Sequence, residues 1–390
     1  MRRLLALVLL LLAPAYSQTS VAQSVTVGVV LPESGILADL AADYRKALLL
    51  WQDQVNAAGG LAGRRVELLV VDDRSDSVDA GGHYERMISD SKVDLLIGPF
   101  GSAATLGAAG VAERHRRVLI NGTGAARATQ KPKFRYVFQT ATPLAAWGAG
   151  ALAAARAQGL KHVALLARDD PTSREMASLA REMATAQGFI VPEVEVYSPA
   201  IDDFTTQVAH ARAAGSEAWI AFGLPRDAAD MVKTFRRLRY APRLFAAQGA
   251  AASEFLKLLG QDAELSLGMV AYDPRARTRG NAEFVRDFAA KWSAEPGLLA
   301  AEGYAAGKVL EEGVRRAGTL EQEKLRAALA ALETQTPLGP YKVDRAGAQI
   351  GAQPLLVQVQ RGRREIVWPE ALATAKRQTY PSWDERKLLK

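Results

Sequence analysis

VTVGVVLPESG, Val25–Gly35, opens a stretch that continues as ILADLAADYRKALLLWQDQVNAAGGLAG to Gly63. Val25–Leu31 is a short, apolar, β-branched run, the pattern of a buried strand. Pro32-Glu33-Ser34-Gly35 breaks it with turn chemistry. The following residues read as a helix with Ala41, Leu48 and Val55 on one side. Gly59-Gly60 ends that helix where a left-handed C-cap is wanted. Arg64–Asp73 is a second strand. Strand, helix and strand make a βαβ unit, and such units build parallel sheets whose ligands sit at the carboxyl ends of the strands. The turn carrying Ser34 is such an end, so Ser34 is a candidate ligand contact.

The same alternation continues outward. Ser77–Ser91 reads as helix, Val93–Gly98 as strand, Ala103–His115 as helix and Arg117–Asn121 as strand. Tyr136–Thr140 is extended, and Thr142-Pro143 starts a new helix. A second series follows: strands 162–167, 191–196, 218–222 and 244–247 alternate with helices 172–187, 204–214 and 226–239. Leu267–Tyr272 reads as a strand, and 281–292, 300–317 and 320–333 as helices. Tyr341–Val343, Leu355–Gln360 and Glu365–Trp368 close the series as short strands. Residues 369–390 form a polar tail strapped over the surface. The fold class is α/β, with doubly wound lobes.

Composition narrows the function. The chain has 390 residues, enough for two ordinary domains, and 49% of them are apolar. Arg2 and Arg3 precede an apolar run, Leu4–Leu12, too short to span a bilayer, and Ser20-Val21-Ala22 offers a small-x-small cleavage site. Residues 1–22 therefore read as a signal peptide, with Ala13-Pro14-Ala15 as a rival site. No later stretch predicts a membrane helix. Cysteine is absent, so neither disulfides nor a lipidated cysteine are expected. A chain exported without an anchor points to the periplasm. The formal charge of +7 comes from 49 basic and 42 acidic residues. These charges are interspersed and carry no aromatic stripe, which argues against nucleic acid.

Catalytic and metal chemistry find no support. His83, His115, His162 and His210 are scattered, without HExxH spacing. Neither a GxSxG elbow nor a GxxxxGK[ST] loop occurs. Asp72-Asp73-x-x-Asp76 misses the calcium-loop pattern and reads as capping, with Asp76 or Ser77 at the start of the next helix. No cofactor, metal or enzyme activity is expected. Gly98-Pro99-Phe100-Gly101-Ser102 lies at a strand end and opens a helix. Its outward N–H groups and the positive end of the helix dipole suit a carboxylate, which makes Gly101 and Ser102 candidates. Asn121-Gly122-Thr123-Gly124-Ala125 sits at the next strand end.

VGVVLPESG, VNAAGGLAGRRVELLVVDDRSD and VDLLIGPFGS, in this order, resemble the periplasmic substrate-binding proteins of ABC importers. The resemblance is to the class that binds leucine, isoleucine, valine, amides and related small molecules, and it covers Val25 to Trp368. It implies the type I periplasmic binding fold: two Rossmann-like lobes joined by three crossover segments. The lobes would be 23–140 plus 272–336 and 141–271 plus 337–368, with crossings near 139–143, at 272 and at 336–340. It implies that Ser102 holds a ligand carboxylate and that the Gly122–Thr123 turn presents a backbone carbonyl and N–H groups. The family threonine two residues on is Ala125 here. The family's acid for the ligand ammonium falls on Gln248, which cannot neutralise a cation. Either Asp169, Asp170 or Glu302 replaces it, or the ligand has no ammonium. Family tyrosines that face the ligand fall on Leu40, Leu224 and Thr172-Ser173. Trp147 and Tyr272, near the lobe borders, are candidates for stacking on the ligand.

The expected function is capture of an amino acid, amide or small carboxylate and its delivery to an ABC permease. The protein is expected to be a monomer with no stable membrane insertion. A periplasmic sensor that hands the signal to a membrane partner is the alternative. An enzyme on the same scaffold would need a titratable pair in the cleft.

Overall fold

The computed structural model describes residues 24–130 and 133–388. The signal peptide expected at 1–22 lies outside the described residues. The first lobe is built on a five-stranded sheet: β1 (Val25–Leu31), β2 (Val66–Asp72), β3 (Leu95–Ile97), β4 (Leu119–Asn121) and β5 (Val137–Gln139). Its strand order is β2-β1-β3-β4-β5, parallel throughout. Helices α1 (Ala38–Ala57), α2 (Ala80–Ser89) and α3 (Ser102–Arg114) connect these strands. Strand alternation sends Val25, Val27, Val29 and Leu31 into one core and Val30 into the other. Both faces are therefore covered, as a parallel sheet requires.

The second lobe repeats this plan. It comprises α4 (Ala149–Ala157), β6 (Val163–Arg168), α5 (Pro171–Ala186), β7 (Glu195–Tyr197), α6 (Thr205–Ala213), β8 (Ala218–Phe222), α7 (Pro225–Arg237), β9 (Leu244–Ala247), α8 (Ser253–Leu259) and β10 (Leu267–Val270). The parallel order β7-β6-β8-β9-β10 matches that of the first sheet. Ala218, Ile220 and Phe222 face one core, while Trp219 and Ala221 face the other. The chain then supplies α9 (Asn281–Trp292), α10 (Leu298–Ala317) and α11 (Gln322–Ala330), which pack into the first lobe's core. A hairpin of β11 (Thr334–Thr336) and β12 (Gly339–Tyr341) follows. Strands β13 (Leu355–Gln360) and β14 (Arg363–Trp368) add antiparallel to the open edge of β10.

Core membership shows where the chain changes lobes. Phe138 belongs to the first core and Leu144 to the second; Ala271 belongs to the second and Tyr272 to the first. The third passage departs from the sequence reading. Tyr341 and Val343 lie in the first core, not in the second lobe, and Leu355 starts the return to the second sheet. The reason is pairing: β12 bonds to β11, and Gln139 N donates to Gly347 O at 2.9 Å, which keeps this stretch on the first lobe.

Two further readings change. Helix α2 starts at Ala80 rather than Ser77, and Asp76 accepts from Val78 N in a turn instead of capping it. The tail is more than a strap, because Tyr380 and Trp383 are buried in the second lobe's core and Trp383 Nε1 donates to Tyr240 O at 2.7 Å.

Candidate ligand-binding cleft

The carboxyl end of β3 carries Gly98–Gly101 straight into α3. Gly101 has φ +87, a conformation that favours glycine, and this aims the first turn of α3 outward. No side chain caps that helix. The N–H groups of Ser102, Ala103 and Ala104 precede the first intrahelical bond, from Thr105 N to Gly101 O. The turn after β4 is laced against this one. Thr123 Oγ1 accepts from Gly101 N at 2.8 Å and donates to Pro99 O at 3.0 Å. Ser102 Oγ accepts from Ala126 N at 3.2 Å, which leaves its own proton free. Asn121 closes the second turn through both of its polar atoms, to Gly124 N and Gly124 O. Thus Gly101 and Thr123 spend their polar groups on fixing the two turns. Ser102 and the N–H groups behind it stay available to an anion.

Gly122 has a separate role. A Cβ there would stand 2.1 Å from the Tyr44 hydroxyl, so only glycine lets α1 approach this turn. Tyr44 is fully buried, its hydroxyl has no hydrogen-bond partner among the described residues, and burial raises its pKa. Ser34 is tied to the carboxyl end of β2. Its Oγ donates to Asp72 Oδ2 at 2.7 Å, and Glu33 N and Ser34 N donate to Asp72 Oδ1. The Ser34 hydroxyl and the adjoining N–H groups hold the Asp72 carboxyl down at about 2.

Trp147, Gln248 and Tyr272 line one cavity of about 410 Å³, together with Leu224, Leu298 and Arg364. Trp147 Nε1 has no partner among the described residues, and the Tyr272 hydroxyl donates to Asn281 Oδ1 at 2.8 Å. The first-lobe turns do not line this cavity. The link is Ala125 and Ala126, which pack against the core containing Leu144 and Trp147, with Leu144 N donating to Ala125 O.

The three replacement acids separate clearly. Asp169 pairs with Arg174 at 2.7 Å. Asp170 caps α5 by accepting from Ser173 N and Ser173 Oγ. Glu302 has no hydrogen bond or ion pair among the described residues, and burial alone pushes its carboxyl up to about 8. Among the described residues no group of His, Cys, Asp and Glu side chains is arranged to hold a metal.

The sequence profile of the family described as periplasmic binding protein matches residues 24–364. The chain belongs to that family. The periplasmic binding proteins it is similar to are binding proteins by description, not enzymes. One is the leucine-, isoleucine-, valine-, threonine- and alanine-binding protein of Pseudomonas aeruginosa, 24% identical over 335 residues, which cover 85% of this chain and 88% of that one. A leucine binding protein from Thermotoga maritima shares the fold with TM-score 0.69 at 23% identity, covering 89% of this chain and 100% of the other. A solute binding protein from R. palustris in complex with benzoate has TM-score 0.69 at 22% identity, covering 88% and 96%. Against this family background, Tyr44, Leu298 and Arg364 are residues that sequence reasoning missed. Tyr44 sits on the apolar face of an ordinary amphipathic helix, and the turn it meets is remote in sequence.

Proposed function

We propose that this periplasmic binding protein captures a small carboxylate-bearing solute between its lobes and presents it to the membrane permease of an ABC importer. We take the first lobe as 24–140 with 272–343 and the second as 141–271 with 355–368, acting as a monomer in the periplasm. The observation that carries the reading is the uncapped first turn of α3 with the Ser102 hydroxyl beside it, at the carboxyl end of β3. In the order β2-β1-β3-β4-β5 that end lies at the switch point of the sheet, where open α/β sheets bind ligands. The second lobe offers Trp147, Gln248 and the half-exposed Leu224 to cover the rest, with Tyr272 of the first lobe at the border between them. Relatives described as binding leucine or benzoate support a ligand with an anionic head and an apolar body.

A thermal-shift screen of the mature protein against amino acids, amides and aromatic acids tests this. A ligand at about a hundred times its Kd adds roughly 2.7 kcal/mol and raises the melting temperature. With the best carboxylate, Ser102→Ala is expected to weaken binding by about tenfold to a hundredfold, the worth of a hydrogen bond to a charged group. Unchanged affinity would move the carboxylate site elsewhere.

A further inference from the structure

A second cavity of about 410 Å³ lies where the chain changes lobes. That volume falls in the range of small-molecule sites. Its apolar wall comes from both lobes. Tyr272 and Leu338 belong to the first core, and Ala271, Leu355 and Leu372 pack with the second lobe. Two of the three passages border it: Ala271 and Tyr272 form the second crossing, and Gly351 and Gln353 lie in the third. Polar bonds fix these walls. Thr278 Oγ1 donates to Pro337 O at 2.8 Å, which joins the loop after the second crossing to the turn between β11 and β12. Asn281 Nδ2 donates to Pro274 O at 3.0 Å and to Ala276 O at 2.8 Å, holding the loop. Thr336 Oγ1 donates to Gly339 O at 3.1 Å and accepts from Leu338 N at 3.2 Å, holding the turn. The cavity is therefore a built feature of the hinge.

Its charge is unbalanced. The acid of the lining, Asp273, has both carboxylate oxygens bonded to the Arg275 guanidinium at 2.9 Å. The lining cations, Arg277 and Arg279, are exposed, and their guanidinium groups have no hydrogen bond or ion pair among the described residues. A guanidinium offers a fork of donors that matches a carboxylate. We propose that this hinge cavity is a second ligand site, for a small organic anion that carries a carboxylate on an apolar body. The head sits on Arg277 and Arg279, and the body lies against Tyr272, Leu338 and Leu355. The occupant touches both lobes at the segments about which they turn. The site goes beyond capture in the cleft and uses neither Ser102 nor the first turn of α3.

Isothermal titration calorimetry of the mature protein with sodium octanoate tests this. Octan-1-ol and octyltrimethylammonium are the controls, with the same chain and no anion. One saturable octanoate site per chain is expected at the hinge, with octan-1-ol at least about tenfold weaker and the cation not bound. Arg277→Ala combined with Arg279→Ala should weaken octanoate by about tenfold to a hundredfold. Ala371→Trp, at an exposed position of the lining, should remove the site by filling it. Ser102→Ala should leave this binding in place. Should Ala371→Trp fail to fold by circular dichroism, the exposed arginine pair decides. Octanoate binding that responds to Ser102→Ala and ignores the hinge variants overturns the hinge site and keeps the capture reading. Equal affinity for octanoate and octan-1-ol, or no octanoate binding, overturns the hinge site and leaves the capture reading to its own screen.

Discussion

Glu302 links burial to stability at the scale of one side chain. Its carboxyl is raised from the ordinary 4.5 to about 8 by burial. The folded state therefore holds a proton that the unfolded state releases above about 4.5, and stability falls as pH rises from there to about 8. Glu302→Gln should be level with the native protein at pH 5 and more stable at pH 8, by at least about 1 kcal/mol. Urea unfolding at the two pH values checks this, and equal curves at pH 8 would contradict it. Gly122→Ala makes the opposite demand on space. Its methyl group would meet the Tyr44 hydroxyl, so a loss of about 1–3 kcal/mol is expected, and Tyr44→Phe in the same chain should recover part of it. Little of this was legible in the sequence. The GPFGS and NGTG turns announced themselves through glycine and strand-end position. The commitment of the Thr123 hydroxyl to Gly101 and Pro99 depends on two turns meeting in space, which no local pattern records.

The packing of α10 on α1 organises the first lobe at the scale of elements. Gly303 and Gly307 remove side chains where Tyr44 O and the Trp51 ring come within 2.5 Å of a would-be Cβ. Trp51 Nε1 reaches across to Glu311 at 3.1 Å, and Tyr304 donates to Gln54. Gly307→Ala should overpack this seam and cost about 1–3 kcal/mol, read as a lower urea midpoint with an unchanged slope. The tail makes the comparable contact on the second lobe. Trp383→Ala removes a buried ring and its bond to Tyr240, for an expected loss of about 3 kcal/mol. The elements themselves were readable, because period-two and period-3.6 patterns survive along each of them. β8 and β9 fall on the expected residues, and α9 also matches. Strand β12 was misplaced because short strands take their lobe from pairing partners, not from their own composition.

For the whole molecule, two sheets that share one order of parallel strands are joined by three passages of the chain. Such a link restricts motion to opening and closing about one hinge. Ligand binding should therefore reduce the radius of gyration in small-angle scattering without changing helix content. A profile that ignores a tightly bound ligand would contradict capture by closure. This architecture was legible through family resemblance; rhythm alone shows two α/β series but not that α9, α10 and α11 return to the first. One surface detail gives the chain a practical use. Leu224, 53% exposed, stands at the lip of the cavity, and the sequence contains no cysteine. A single Leu224→Cys thiol would therefore take an environment-sensitive dye at one site only. Closure would move that dye out of water, turning the protein into its own optical gauge of solute concentration.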